Sequence, residues 1–160
     1  MSNHRLKLLI VEDDLLVLEM VRTVLISLDA EVCAVPDARE AVKRVANESF
    51  DGIFVDLNMP WIDGIRLTEH IRASAENARK PVVVITARTD VAAMKRAYAA
   101  GATFLLHKPL TQMKISRLMR VVAGSMRVPA PDPVLAAARR SAQPEPRPRP
   151  FADVLAALRG

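Results

Sequence analysis

The sequence is poor in residues that build disulfides, stacking platforms or membrane spans. Its 160 residues include one cysteine, Cys33, so no disulfide can form within the chain, and the apolar run EVCAV predicts a buried, inert thiol. Aromatic residues make up only 4% of the chain, which argues against a base-stacking surface. No apolar run approaches the ~20 residues of a membrane span, and the start does not resemble a signal peptide. We therefore expect a soluble cytoplasmic protein.

Glycine is also scarce, and the net charge is small where folding is expected. The chain has five glycines and no Gly-rich phosphate loop, which argues against a flavodoxin-like cofactor binder. Residues 1–125 contain 17 Lys/Arg and 15 Asp/Glu, whereas residues 126–160 contain 6 Lys/Arg and 3 Asp/Glu. Because the first part is nearly balanced, the composition favours a protein that does not bind nucleic acid directly.

Short apolar runs alternate with amphipathic segments along the first three quarters of the chain. The pattern predicts strands over 6–11, 30–35, 51–56, 81–87 and 103–107, and helices over 14–28, 36–49, 64–75, 90–100 and 111–124. Asp14 and Asp37 are candidate N-caps, and Gly101 a candidate helix end. Continuous Val/Ile/Leu strands between helices indicate a parallel sheet covered on both faces, hence a doubly wound α/β domain over residues 1–124.

The composition changes after Gly124. Residues 125–160 contain proline-dense stretches, PAPDP and QPEPRPRP, which favour an extended tether. The last residues form an apolar stripe at helical spacing: Phe151, Val154, Leu155 and Leu158. We expect a short amphipathic helix that docks on a partner chain, with its own domain, a second copy of the chain and a disordered end as alternatives.

Polar residues follow four of the predicted strands. Glu12 and Asp13 follow the first strand, and Asp56 ends the third. Thr86 ends the fourth strand, and Lys108 follows the fifth. Because the carboxyl ends of parallel strands meet at one edge of the sheet, these side chains are expected to converge in one crevice.

This combination of groups suits phosphoryl chemistry. Clustered carboxylates raise one another's pKa unless a cation relieves them, and oxygen-only ligands suit Mg²⁺. A lysine can neutralise phosphoryl oxygens and a hydroxyl can bond another. Asp56 is then a candidate nucleophile that forms an aspartyl-phosphate. The alternative for each single acid is the cap of the next helix, a role that Asp14 is expected to play.

Four stretches of the sequence, in this order, resemble the receiver domain of two-component response regulators: LLIVEDD, VDLNMPWIDG, VVVITA and GATFLLHKP. The resemblance covers about residues 5–124. It implies a flavodoxin-like five-stranded sheet of order 2-1-3-4-5 with five helices. It also implies that a sensor histidine kinase or histidine phosphotransfer protein donates a phosphoryl group and that the signal passes to a downstream protein, with homodimerisation left open.

The resemblance assigns a role to each acid. Asp56 matches the phosphoacceptor. Asp13 matches a direct ligand of Mg²⁺, Glu12 a ligand through water, and Asn58 a ligand through its backbone carbonyl.

The same resemblance makes Thr86 the switch hydroxyl and Lys108 the phosphoryl-contacting lysine, with a cis bond before Pro109. One position departs from the family pattern. Leu105 stands where the family usually has Tyr or Phe, and strand alternation points Phe104 to the other face. We therefore expect a switch that depends on packing.

Several residues near the predicted site carry open alternatives. Pro60 and Gly64 match the loop that shapes the family's site. Trp61 lies in the same loop, either as a partner contact or as cover over the loop's apolar base. For Leu15 and Leu16 the default is core packing, and the alternative is an apolar docking patch for a histidine-bearing partner.

A metal-dependent phosphate-ester hydrolase is the rival function for a nucleophilic Asp56. Such an enzyme needs a general acid near the nucleophile and a substrate pocket or cap. Leu57 and Asn58 follow Asp56, so there is no second acid two residues on, and no cap segment interrupts the pattern. The sequence thus predicts a signalling phosphoacceptor that slowly hydrolyses its own acyl phosphate, and not a turnover enzyme.

Overall fold

Five strands and five helices alternate along residues 4–127, the part of the chain that the computed structural model describes. The strands are β1 (Lys7–Val11), β2 (Glu31–Val35), β3 (Gly52–Asp56), β4 (Val82–Thr86) and β5 (Phe104–His107). The helices are α1 (Leu15–Ser27), α2 (Ala38–Asn47), α3 (Gly64–Ala73), α4 (Val91–Ala100) and α5 (Gln112–Arg127).

The strands form one parallel sheet in the order β2-β1-β3-β4-β5. This order confirms the doubly wound α/β fold that the alternating pattern and the resemblance predicted. The winding direction reverses between β1 and β3, and the crevice for ligands in such sheets lies at this point, beyond the carboxyl ends of the strands.

Apolar side chains cover both faces of the sheet because Val, Ile and Leu predominate in the strands. On one face the sheet packs against buried residues of α2, α3 and α4, and on the other against those of α1 and α5. The edge strand β5 shows the alternation: Leu105 packs on the first face, whereas Phe104 and Leu106 pack on the second. The predicted separation of Leu105 and Phe104 is thus confirmed.

Four of the helices begin at an aspartate. Asp14, Asp37, Asp63 and Asp90 each accept a hydrogen bond from a backbone N–H of the first turn. The caps at Asp14 and Asp37 confirm the prediction, whereas those at Asp63 and Asp90 were missed. Such caps contribute about 1 kcal/mol each.

The helix ends differ from the prediction in places. Helix α2 ends at Asn47, and α5 continues to Arg127, three residues beyond the predicted end. Leu28, which follows the end of α1, is exposed. The predicted tether and amphipathic helix lie outside the described residues. Within residues 4–127, no helix has the length and apolar content needed to cross a membrane.

Gly64 permits a close approach between α3 and the end of β3. A Cβ at this position would collide with the Asp56 carbonyl oxygen and lie 2.8 Å from the Leu57 Cα. We expect Gly64→Ala to lower the free energy of unfolding by at least about 2 kcal/mol, because backbone atoms cannot move aside cheaply. Gly124→Ala is the matched control, since no atom lies within 4 Å of its added Cβ. Urea unfolding of both variants tests this, and equal stabilities would contradict it.

Candidate functional site at the carboxyl edge of the sheet

A buried lysine–carboxylate cluster lies where the winding of the sheet reverses. Asp56 ends β3, Glu12 directly follows β1, and these two residues are 2% and 0% exposed. The Lys108 Nζ atom lies 3.1 Å from Glu12 Oε2 and 3.1 Å from Asp56 Oδ1. One ammonium group therefore bridges two buried carboxylates.

The strand register explains why these groups meet. Val11 and Val55 are neighbours across β1 and β3, so Glu12 and Asp56 are the next residues along adjacent strands. The Asp14 backbone N–H donates to Glu12 Oε1 at 3.1 Å and holds that side chain at the strand end. Lys108 follows β5, and its backbone N–H donates to the Thr86 carbonyl at 2.9 Å. The Lys108–Pro109 bond is cis, as the resemblance implied.

Burial and mutual charge shift the pKa values of the cluster. Burial raises the pKa of Asp56, and the nearby Asp13 charge adds to this, although Lys108 opposes it. Burial and the Asp56 charge likewise raise the pKa of Glu12. Burial alone would lower the pKa of Lys108, but its contacts with Asp56 and Glu12 outweigh burial, so the pKa of Lys108 is raised. The cluster therefore holds one more carboxylate than its ammonium group can neutralise.

The acidic side of the cluster offers a set of oxygen ligands. One carboxylate oxygen each from Glu12, Asp13 and Asp56 lies within 4.8 Å of the others. Glu12 Oε2 is buried and makes no hydrogen bond of good geometry, although it contacts the Lys108 ammonium group. Asp13 is exposed, so the cluster is open to water on that side. Hard oxygen donors, excess negative charge and access for water fit Mg²⁺.

Two further predicted residues occupy neighbouring positions. Asn58 is exposed in the loop after β3, and its backbone N–H lowers the pKa of Asp56. Thr86 is buried at the end of β4, one residue beyond Ile85, the register neighbour of Asp56. Its hydroxyl oxygen accepts a hydrogen bond from the Arg88 backbone N–H at 2.9 Å. The hydroxyl proton stays available to another acceptor.

Exposed apolar side chains surround this edge of the sheet. Leu15 and Leu16 are 65% and 84% exposed, so the expectation of core packing for them was wrong. Trp61 is 79% exposed, and the Arg39 guanidinium lies 5.0 Å from the centre of its ring. The Trp61 backbone has φ = 70°, a left-handed conformation that is uncommon for a bulky residue. The loop thus holds an aromatic ring outward beside the cluster.

Three other residues complete the comparison with the sequence predictions. Leu105 is buried in the same core cluster as the apolar residues of α4. Cys33 is half-buried rather than buried, and burial raises the pKa of its thiol, which disfavours the reactive thiolate form. The hydrogen bond from the Arg88 backbone N–H to the Thr86 hydroxyl was not predicted, because no sequence pattern identified this backbone donor.

Comparison with known proteins agrees with this geometry. The family model described as "Response regulator receiver domain" matches residues 8–120. The chain therefore belongs to the response regulator receiver domain family, whose members act in two-component phosphorelays and accept phosphoryl groups from histidine kinases.

Similar proteins include free-standing receivers and parts of larger proteins. The chain is 32% identical over 136 residues to the sensor protein GacS of Pseudomonas syringae pv. syringae. This match covers 82% of the chain and 15% of GacS. The chain is also 26% identical to the probable chemotaxis protein CheY of Rhizobium etli, in a match that covers 78% of this chain and 97% of that protein. For several other curated relatives, it spans only between 3% and 54% of their length.

A solved structure gives a chemical parallel to the acidic cluster. It is the receiver domain of the sensor histidine kinase PA1611 from Pseudomonas aeruginosa PAO1, with a magnesium ion coordinated in its active site cleft. That receiver domain is 27% identical to this chain and superposes on it with a TM-score of 0.70. The match covers 76% of this chain and 99% of the solved chain.

The raised pKa of Asp56 predicts how stability depends on pH. When folding raises the pKa of an acid, that acid destabilises the folded protein at pH values above its folded pKa, where it is ionised in both states. Below its unfolded pKa the acid is protonated in both states and has no effect on stability. We expect metal-free Asp56→Asn to be more stable than the parent at pH 8 by roughly 1 kcal/mol, several degrees in Tm, with a smaller gain as the pH falls.

Thermal melting between pH 3 and pH 8 in EDTA checks this expectation. Glu69→Gln, at an exposed position of α3, is the control for the loss of one negative charge. A lower Tm for Asp56→Asn at pH 8, or a gain that does not shrink towards pH 3, would contradict it.

Proposed function

We propose that Asp56 accepts the phosphoryl group from a phosphohistidine of a sensor kinase or a histidine phosphotransfer protein. The observation that carries this proposal is the buried Asp56 carboxylate, held 3.1 Å from the Lys108 ammonium group at the winding reversal of the sheet. Family membership supports the reaction class, and the acidic cluster supports the choice of Asp56 among the acids of the chain.

The transfer exchanges one phosphorus bond for another. A carboxylate oxygen of Asp56 attacks phosphorus, the bond from phosphorus to the donor imidazole nitrogen breaks, and the imidazole leaves with the bonding electron pair. Lys108 neutralises charge on the phosphoryl oxygens, since its ammonium group already lies within hydrogen-bonding distance of Asp56. The Thr86 hydroxyl donates its free proton to a phosphoryl oxygen.

Asp13 and Asp56 would hold Mg²⁺ directly, with Glu12 bonded through water and Asn58 through its backbone carbonyl. When bound, the ion neutralises charge on the phosphoryl oxygens and on the clustered carboxylates. Because Asp13 is exposed, water can also reach the acyl phosphate and hydrolyse it slowly. This self-hydrolysis limits the lifetime of the signal without making the protein a turnover enzyme.

The exposed apolar residues beside the site form the docking surface for the phosphohistidine donor in this proposal. Leu15 and Leu16 begin α1, and Trp61 lies in the loop after β3. A donor histidine must approach Asp56 past these side chains. Apolar contacts of this kind carry most of the energy of protein interfaces, and charges at the rim set specificity.

The response to phosphorylation would pass through the Thr86 end of β4 and through α4. The Thr86 hydroxyl already contacts the Arg88 backbone, so a new bond to phosphoryl would shift the β4–α4 loop. Leu105 has no hydroxyl that could exchange partners, and the change would be transmitted by repacking beneath α4. In this account residues 1–124 form a cytoplasmic receiver and residues 125–160 a tether.

Asp56→Asn tests the phosphoacceptor. The full chain with acetyl phosphate and Mg²⁺ should take up phosphate in a form that hydroxylamine removes, and Asp56→Asn should take up at least tenfold less. Asp63→Asn, at an exposed carboxylate of the same loop, is the matched control and should label like the parent. Undiminished labelling of Asp56→Asn would contradict the assignment, whereas steady hydrolysis of p-nitrophenyl phosphate would favour the hydrolase.

Asp13→Ala tests the metal ligands. We expect Mg²⁺ affinity to fall at least tenfold in Asp13→Ala and less in Glu12→Gln, because a ligand through water contributes less than a direct one. Calorimetric titration measures both affinities, and the nearby Trp61 gives a fluorescence readout. Asp29→Ala, remote from the cluster, should bind Mg²⁺ like the parent. Equal affinities of Asp13→Ala and the parent would contradict the assignment.

A further inference from the structure

The edge strand β2 leaves one side of its backbone unpaired. It pairs with β1 alone, and alternate residues of a parallel strand bond to the same neighbour. The Glu31 N–H donates to β1's side of the sheet at 2.8 Å and the Val35 carbonyl accepts from it at 3.2 Å, so Cys33 between them also faces β1. The N–H and C=O groups of Val32 and Ala34 therefore point outward, and no other backbone hydrogen bond in the described part of the chain uses them.

This edge lacks the features that usually keep a strand edge from pairing. Such edges carry lysine, proline or a bulge, whereas β2 reads EVCAV and has no charge after Glu31. Pro36 lies one residue beyond the strand. Val32, Cys33 and Ala34 are half-buried, so solvent reaches the edge. A regular, apolar and accessible edge of this kind favours the addition of another strand.

The outward-facing groups suit a second copy of the same strand. If two β2 strands meet antiparallel with Cys33 opposite Cys33, then Val32 of each copy lies opposite Ala34 of the other. Residues that face each other in this way exchange N–H···O bonds, and the two-fold axis repeats the exchange. Pro36 has no N–H and ends the ladder. Every outward N–H and C=O of both strands is then used.

A cleft beside the edge supplies a cation. The cleft has a volume of about 560 Å³ and lies between the end of β2, at Val35, and α2. Lys43 of α2 lines it and forms no ion pair among residues 4–127. The other charged groups of the lining pair with each other: Asp37 with Arg39, and Glu40 with Arg44.

Glu31 of the second copy would enter this cleft. In the same register it lies opposite Val35, and directly opposite residues of an antiparallel pair have their side chains on one face of the sheet. That face carries α2, because Val35 and Cys33 pack in the core cluster that contains the buried residues of α2. Glu31 is exposed and, like Lys43, has no ion pair in the described part of the chain.

We propose that the β2 edge binds a second copy of this chain, in a symmetric antiparallel pairing that joins two five-stranded sheets into one. Val32 and Ala34 supply the ladder hydrogen bonds. Glu31 of each copy pairs with Lys43 of the other. The two-fold axis is perpendicular to the sheet, so the Asp56 ends of the two copies point in opposite directions and the pairing covers neither. This inference goes beyond the proposed function and does not depend on it.

An unrelated extended peptide fits the edge less completely. It could take the ladder hydrogen bonds of Val32 and Ala34, which carry no side-chain specificity. A second copy brings in addition an unpaired acid, Glu31, and an unpaired cation, Lys43, at positions that the two-fold axis matches. The charges therefore select the same chain.

Sedimentation of the full, unphosphorylated chain in EDTA tests the proposal. We expect a monomer–dimer equilibrium at protein concentrations up to about 500 µM, because a small interface binds weakly. Ala34→Pro should weaken the dimer at least tenfold, since proline removes an outward N–H and leaves the bonds to β1 in place. Circular dichroism and thermal melting establish that the variant is folded.

A charge exchange tests the ion pair separately. Glu31→Lys and Lys43→Glu should each weaken the dimer at least tenfold, because each creates like-charge contacts on both sides of the axis. The double variant Glu31→Lys/Lys43→Glu should recover the parent affinity to within about threefold, since the pair re-forms with reversed signs. Glu69→Lys, at an exposed position of α3, is the matched control and should change the affinity less than twofold.

Cys33 reports the register of the two strands. Opposite residues at a non-hydrogen-bonded position have Cα atoms about 4.5 Å apart, within the range of a disulfide. Diamide, which accepts the hydrogens of the two thiols, should cross-link the parent in alkaline buffer, which is needed because burial raises the pKa of the thiol. In a Cys33→Ser background, Ala34→Cys should cross-link at least tenfold more slowly, because its counterpart is a diagonal neighbour.

Several results would overturn the proposal. One is a chain that stays monomeric over the whole concentration range. A dimer that persists in Ala34→Pro, or that the double charge variant does not restore, would place the contact on another surface. Faster cross-linking through Ala34→Cys than through Cys33 would contradict the register.

Discussion

The contact of one ammonium group with two buried carboxylates is the constraint on which the site depends. Lys108 neutralises one negative charge of Glu12 and Asp56 and leaves the other buried at the end of an apolar sheet. An isolated buried charge is unstable, so the cluster favours any partner that supplies positive charge. A hard cation is such a partner. In the proposed function, the phosphoryl group on Asp56 would carry more negative charge than the carboxylate it covers, so the Lys108 ammonium group and the cation would stabilise the product as well as the free site.

Much of the fold follows from the sequence because each level of the pattern agrees with the next. Apolar runs of five to seven residues alternate with amphipathic segments, and this alternation admits few topologies besides a covered parallel sheet. The convergence of Glu12, Asp56 and Lys108 follows from the topology alone, since strand ends meet at one edge. The ion pairs, burial and pKa shifts of these residues cannot be derived from the topology, because they depend on side-chain positions that a sequence pattern does not specify.

The errors of sequence analysis have physical causes as well. Leu15 and Leu16 resemble core residues by type, but the first turn of α1 lies at the end of the sheet, where no strand covers it. Asp63 and Asp90 were missed as caps although each directly precedes its helix and aspartate is a preferred N-cap residue. A charge division was also overlooked: residues 1–90 hold 11 Lys/Arg and 15 Asp/Glu, whereas residues 91–124 hold six Lys/Arg and no Asp or Glu. Total counts average over the elements, so the division becomes visible only after helices and strands are placed in order.

The charge division gives the folded domain a permanent electric dipole. The negative pole belongs to the elements formed by residues 1–90, and the positive pole to α4, β5 and α5. A dipolar protein rotates in the field of an approaching charged molecule before contact, so oppositely charged partners meet different sides of it. Cationic and anionic partners would therefore reach the domain in different orientations, at rates that decrease with increasing ionic strength.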